Sequence, residues 1–104
     1  MQIKKITVIG TGGVGGYFGG QIAKAGYDVT FVARGKHLEA IQKKGLIVYG
    51  LAKDFTIYPA CAVDDIKKIS KPDLVILGVK AWQVKGVARE LTSVIHDRTM
   101  VLPL

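Results

Sequence analysis

Cysteine is almost missing from this chain. Cys61 stands alone among 104 residues, so no disulfide can close within the chain, and a reducing, cytoplasmic setting is expected. With the distant His37 and His96 it makes too sparse a set for zinc. Proline is scarce as well, at three residues, and no proline-rich or low-complexity tract marks a linker. At this length a single domain is expected. No apolar run approaches the ~18 residues of a membrane-spanning helix; the longest covers residues 74–79. The start, Met1-Gln2-Ile3-Lys4-Lys5, leads directly into strand-like sequence and shows no secretory signal. Acidic residues are also few, 8 against 15 Lys and Arg, for a net charge of +7.

Such an excess can serve nucleic acid, an acidic membrane surface, an anionic ligand or solubility. The pairs Lys4-Lys5, Lys43-Lys44 and Lys67-Lys68 are spread along the chain, whereas a nucleic-acid binder gathers its cations on one stretch with aromatics nearby. Most of this charge reads as solvated surface, and neither a nucleic-acid nor a membrane partner is expected. A hydrophobic content of 49% excludes a disordered basic tail.

What is plentiful is glycine, 13 residues, set within an alternation of apolar strands and helices. Residues 3–9 form a β-branched run ending in glycines. From 13 to 25, Val14, Phe18 and Ile22 recur every fourth position, a helical stripe closed by Gly26. Residues 29–33 give a second strand, Leu38 and Ile41 a short helix ending at Gly45, and 46–49 with 55–58 a hairpin around Gly50. The stretch 64–72 is charged and irregular. Residues 74–79 make another apolar strand, Val84, Val87, Ala88, Leu91, Val94 and Ile95 an amphipathic helix, and 100–102 open a last strand. Continuous apolar strands between helices predict an α/β fold with a doubly wound parallel sheet of the Rossmann type.

The first turn reads Gly10-Thr11-Gly12-Gly13-Val14-Gly15-Gly16, so Gly10, Gly12 and Gly15 fit G-x-G-x-x-G between a strand and a helix. Gly10 permits the tight turn, Gly12 lets backbone approach a pyrophosphate, and Gly15 lets the helix lie close to the strand. The helix N-terminus adds free N–H groups and partial positive charge. Gly15, Gly16, Gly19 and Gly20 fall inside the helix, at ~1 kcal/mol each relative to Ala. A total of about 4 kcal/mol is large beside the ~5–15 kcal/mol stability of a domain, so close packing and ligand access must offset it. The alternative, a glycine-rich helix used for packing alone, explains the pattern less completely.

Two cations refine the picture. A site for NAD places Asp or Glu at the end of the second strand. Here that strand ends Val32-Ala33-Arg34-Gly35-Lys36, and Asp28 sits at its far end, about 17 Å away. Arg34 therefore points to NADP (NADPH), its guanidinium matched to a 2′-phosphate, with Lys36 or His37 able to assist; a solvated loop arginine is the alternative. Lys80 follows the 74–79 strand on the same sheet edge, ahead of a helix whose dipole disfavours a cation, so an anion or polar substrate is expected to meet it; the alternative is an ordinary surface lysine. Trp82 is read either as lining the crevice or as packing a helix. His37 reads as a surface or capping residue, and neither His96 nor Cys61 has a catalytic setting.

The segments Ile9-Gly10-Thr11-Gly12-Gly13-Val14-Gly15-Gly16-Tyr17-Phe18-Gly19, Ala33-Arg34-Gly35 with His37-Leu38, and Gly78-Val79-Lys80-Ala81-Trp82-Gln83 together resemble the N-terminal cofactor domain of the ketopantoate reductase (2-dehydropantoate 2-reductase) family. The resemblance implies NADPH-dependent reduction of 2-dehydropantoate to pantoate, on the route to pantothenate and coenzyme A. It makes Gly10, Thr11, Gly12, Gly13, Val14 and Gly15 the pyrophosphate loop, Arg34 the 2′-phosphate contact, and Lys80 the lysine near the ribose and nicotinamide end. It places the catalytic lysine and the 2-oxo acid site in a helical C-terminal domain beyond Leu104, so no catalytic residue is expected within residues 1–104 and the chain alone is expected to be inactive. Two further readings remain open at this point: a stand-alone NADP-binding sensor module, and the cofactor domain of a related 2-oxo acid, opine or glycerol-3-phosphate dehydrogenase. The apolar final strand raises the expectation of self-association.

Overall fold

The computed structural model describes residues 3–10 and 12–104. Apolar, β-branched segments supply the strands and the glycines punctuate them. In chain order the elements are β1 (Lys5–Ile9), α1 (Val14–Lys24), β2 (Asp28–Val32), α2 (Gly35–Lys44), β3 (Leu46–Val48), β4 (Phe55–Ile57), β5 (Cys61–Val63), β6 (Leu74–Leu77), α3 (Val84–Leu91) and β7 (Met100–Pro103). Five strands form one parallel sheet in the order β5-β2-β1-β6-β7, and β3 with β4 forms a separate antiparallel hairpin. This is the expected α/β Rossmann-type sheet.

Register decides where a ligand can lie. Ile9 pairs with Val32 on one side and with Leu77 on the other, and Val32 pairs with Val63. The turns after β1, β2, β5 and β6 therefore leave the sheet along one edge. The chain winds outward from β1 to β2 and β5, then returns to β6 and β7 on the other flank. A crevice opens at that reversal, beyond the carboxyl ends of β1 and β6.

The central strands β1, β2 and β6 are buried on both faces, as parallel sheets require, and Val8 and Val75 are wholly buried, whereas the edge strand β7 is exposed. Ile6, Val8, Phe31 and Ile76 face a core with Ile41 of α2 and with Leu46 and Val48 of β3. Ile9, Val32, Val75 and Leu77 face a second core with Ile66, Ile69, Leu91 and Val94. The charged stretch 64–72 is thus anchored from within by Ile66 and Ile69. Asp65 caps its single 3-10 turn, accepting from the Lys67 N–H at 2.9 Å.

Three details differ from the sequence expectation. Val14 and Phe18 of the α1 stripe remain exposed, and Gly15, Gly16, Gly19 and Gly20 are the buried face. A Cβ on Gly19 would lie 2.8 Å from both Phe31 and Val8, and one on Gly20 would overlap Val48, so only glycine lets α1 sit this close to β1, β2 and β3. Secondly, α3 stops at Leu91, where the Thr92 and Ser93 hydroxyls donate to the carbonyls of Arg89 and Glu90 and compete with helical bonding. Thirdly, Cys61–Val63 adds an edge strand that local pattern did not suggest. No helix among the described residues is long and apolar enough to cross a membrane.

Candidate functional site

The glycine loop is shaped by backbone crowding on one side and open space on the other. Gly10 has φ +86°, and a Cβ there would lie 2.7 Å from the carbonyl of Gly78, the residue after β6. A Cβ on Gly15 would run into the Gly10 carbonyl oxygen, and one on Gly78 would come within 3.0 Å of the Gly15 Cα. Three glycines from three segments thus meet at the reversal of the sheet. Gly12 and Gly13, by contrast, have nothing within 4 Å of such an atom. Gly13 is the N-cap of α1 at φ +59°; among the described residues no side chain caps the helix and its first turn holds no acid, so its first-turn N–H groups have no side-chain partner there. Backbone dipoles that face open space in this way suit an anionic ligand. Thr11 lies outside the described residues.

A cavity of about 710 Å³ opens from this loop, within the range of small-molecule and cofactor sites. Ile9, Val32 and Val79 give it an apolar floor, and Gly10, Gly12, Gly13 and Val14 form one wall. Arg34 reaches it as the extended N-cap of α2, with His37 on the next turn. Neither the Arg34 guanidinium nor the Lys80 ammonium has a hydrogen-bond or ion-pair partner among the described residues. Lys80 enters from the turn after β6. Its N–H donates to Gln83 Oε1 at 3.0 Å, and its carbonyl accepts from the Gln83 N–H at 2.8 Å. The structure thus brings Gly10, Gly12, Gly13, Val14, Arg34 and Lys80 to one cleft; Gly15 sits behind the loop as a spacer.

Other candidates fall elsewhere. Trp82 is 80% exposed and neither lines the cleft nor packs a helix, and Lys36 is not part of the lining. Cys61 is exposed on β5, its Sγ accepting from Thr30 at 3.7 Å. No group of residues suited to a metal occurs among the described residues. Sequence reasoning missed Gly78 and Gln83. A glycine directly after an apolar strand hinted at the first; nothing local marked Gln83, because Lys80 is not the Ser or Thr that opens a capping box.

At the opposite, amino edge lies a polar cluster with a different character. Asp73 Oδ2 accepts from the backbone N–H groups of Lys4 and Lys5 at 2.8 and 2.9 Å, and Oδ1 lies 3.2 Å from His96 Nε2. The Arg98 N–H donates to His96 Nδ1 at 3.0 Å, which leaves Nε2 to carry the proton toward Asp73. The Lys5 and Lys4 N–H groups, aided by His96, hold the Asp73 carboxyl below the ordinary range. Thr99 completes the cluster, donating to the Pro72 carbonyl at 2.6 Å and accepting from the His96 N–H. These bonds tie the starts of β1, β6 and β7 together.

Residues 6–104 match the family model described as ketopantoate reductase PanE/ApbA. The 2-dehydropantoate 2-reductase of Pyrococcus horikoshii is 36% identical over 106 aligned positions, covering 96% of this chain and 32% of that protein. The crystal structure of 2-dehydropantoate 2-reductase from Geobacter metallireducens superposes with a TM-score of 0.88 at 29% identity, over 96% of this chain and 33% of that one. A ternary structure of D-mandelate dehydrogenase with NADH and anilino(oxo)acetate gives 0.84 at 28% identity, over 96% and 32%. The chain spans about a third of the length of the curated relatives it matches.

Proposed function

Since the chain belongs to the ketopantoate reductase family and forms a cofactor-binding domain of the dehydrogenase and reductase type, we propose that it binds NADPH as part of an enzyme reducing 2-dehydropantoate to pantoate. The observation that carries the NADPH reading is Arg34. It occupies the carboxyl end of β2, on the cleft, where an NAD site presents a carboxylate. Asp28, the acid of that strand, pairs with Lys5 at the other edge.

The chemistry divides among few groups. First-turn N–H groups of α1 and the open backbone at Gly12 and Gly13 receive the pyrophosphate, with Gly10, Thr11 and Val14 completing the loop and Gly15 seating it from behind. Arg34 forks onto the 2′-phosphate, the apolar floor excludes water from the cofactor's rings, and Lys80 meets the ribose toward the nicotinamide end. The reduced nicotinamide, when bound, supplies a hydride. We assign the groups that bind the 2-oxo acid and protonate its oxygen to parts of the relatives that this chain, about a third of their length, does not cover, and expect no turnover from these 104 residues alone. The likeness to D-mandelate dehydrogenase supports a second reading, in which the parent enzyme acts on another 2-oxo acid. A cytoplasmic setting and self-association through the exposed β7 (Met100, Val101 and Leu102) complete the proposal.

Titration of the chain with NADPH and NADH tests it. NADPH should bind more tightly, and Arg34→Ala should weaken NADPH by about tenfold to a hundredfold while leaving NADH unchanged. An unaltered NADPH-to-NADH ratio in that variant would overturn the role of Arg34.

A further inference from the structure

Beside the cleft lies a second, fully charged groove, lined by Arg34, Asp64, Asp65, Lys67, Lys68 and Glu90. It brings Asp64, Asp65 and Glu90 into one groove with Arg34, the guanidinium that the proposed NADPH site depends on. The sheet register explains the closeness. Val32 and Val63 are partners, and the Ala33 N–H donates to the Val63 carbonyl at 3.0 Å. Arg34 and Asp64 therefore leave adjacent parallel strands within one position of each other, Arg34 on extended backbone and Asp64 at the bend that follows β5.

The acids are not equivalent. Asp65 is committed to its own turn through the Lys67 N–H, and Glu90 approaches from α3. Asp64 is the one that follows β5 directly beside β2. Its Oδ1 accepts from Lys68 Nζ at 2.6 Å across one turn, with both side chains more than half exposed. The Lys68 bond holds the Asp64 carboxyl below its ordinary range, and the Arg34 charge contributes to the same lowering, so Arg34 already feels this carboxylate.

We propose that Lys68 is a positioning residue for cofactor choice: by holding Asp64 it prevents that carboxylate from closing on Arg34 and leaves the guanidinium to a 2′-phosphate. The inference rests on the reading of Arg34 given above. It requires no contact between Lys68 and the cofactor, and it assigns Asp64 as the competitor that Lys68 restrains. Both charges are exposed, so the effect is modest and screened by salt.

The test is a set of NADPH and NADH titrations at low salt on the wild-type chain and on Lys68→Met, Lys68→Arg, Asp64→Asn and the double variant Asp64→Asn/Lys68→Met. Lys68→Met should weaken NADPH by about threefold to fivefold with NADH unchanged. Lys68→Arg should keep wild-type affinity, Asp64→Asn should keep or raise it, and the double variant should recover it. Recovery is the decisive arm, because a lysine that touched the phosphate directly would stay lost when Asp64 is neutralised. A double variant as weak as Lys68→Met, or a Lys68→Met chain with unaltered NADPH affinity, overturns the proposal. Arg34→Ala in parallel separates the two readings: if it removes the NADPH preference while Lys68→Met does nothing, only the role of Lys68 falls; if it changes nothing, both fall.

Discussion

At the amino edge of the sheet, Asp73 accepts two backbone N–H groups and faces His96; at the carboxyl edge, Arg34 and Lys80 have no partner among the described residues. Both edges belong to the same five strands and lie about 17 Å apart, the length of a five-residue strand. One edge satisfies its charge internally and joins three strand starts. The other leaves cations and helix N–H groups facing a cavity. A charge whose bonds are complete is part of the scaffold, and a charge left unsatisfied beside a cavity is the one to assign to a ligand.

That contrast can be broken first at the glycines. Gly15→Ala pushes a methyl group into the Gly10 carbonyl, backbone against backbone, and should destabilise the chain by about 3 kcal/mol. Gly12→Ala meets no neighbour, so it should leave the denaturation midpoint nearly unchanged while weakening NADPH. Equal losses of stability in the two variants would dissolve the distinction between spacer and cradle.

A smaller effect is expected at the amino edge. Asp73→Ala should lower the thermal midpoint by about 5 °C without altering cofactor affinity. Because the folded state holds the Asp73 carboxyl below its ordinary value, its contribution is present above about pH 4 and is lost as the pH falls through the folded pKa. The destabilisation by Asp73→Ala, followed by denaturant titration, should therefore shrink on acidification. A variant that binds NADPH less well at its normal stability would mean that the amino edge reaches the site. The smallest effect is at Lys80. Lys80→Met should weaken NADPH and NADH alike by about threefold to fivefold, so a change in their ratio would shift selectivity away from Arg34.

Much of this architecture was legible in the chain. The apolar runs, the G-x-G-x-x-G turn and Arg34 located the strands, the reversal and the cleft, because each is written in neighbouring residues. Other features depend on partners far away in sequence. The Asp73 carboxylate bonds to Lys4, 69 residues distant, and nothing local marks it. Cys61–Val63 is too short to show alternation and becomes a strand because β2 offers it an edge. In α1 the apolar stripe indicated a helix but not its buried face, since the packing there is made by glycines lying against Val8, Phe31 and Val48. Trp82 shows the opposite limit: an aromatic beside the cleft suggested a crevice lining or a helix contact, yet it stands in solvent.

The glycine face of α1 has an entropic consequence. The helix is seated by backbone atoms and by side chains of the sheet and hairpin that are already packed, so no rotamer has to freeze when phosphate arrives. If the loop receives phosphate as proposed, the cradle is preorganised, and the ordering cost of binding falls on the long side chains of Arg34 and Lys80, up to ~2 kcal/mol of rotamer freedom each. On the proposed reading, affinity common to all dinucleotides is thereby set by the rigid loop together with Lys80, and discrimination between them by the Arg34 side chain alone.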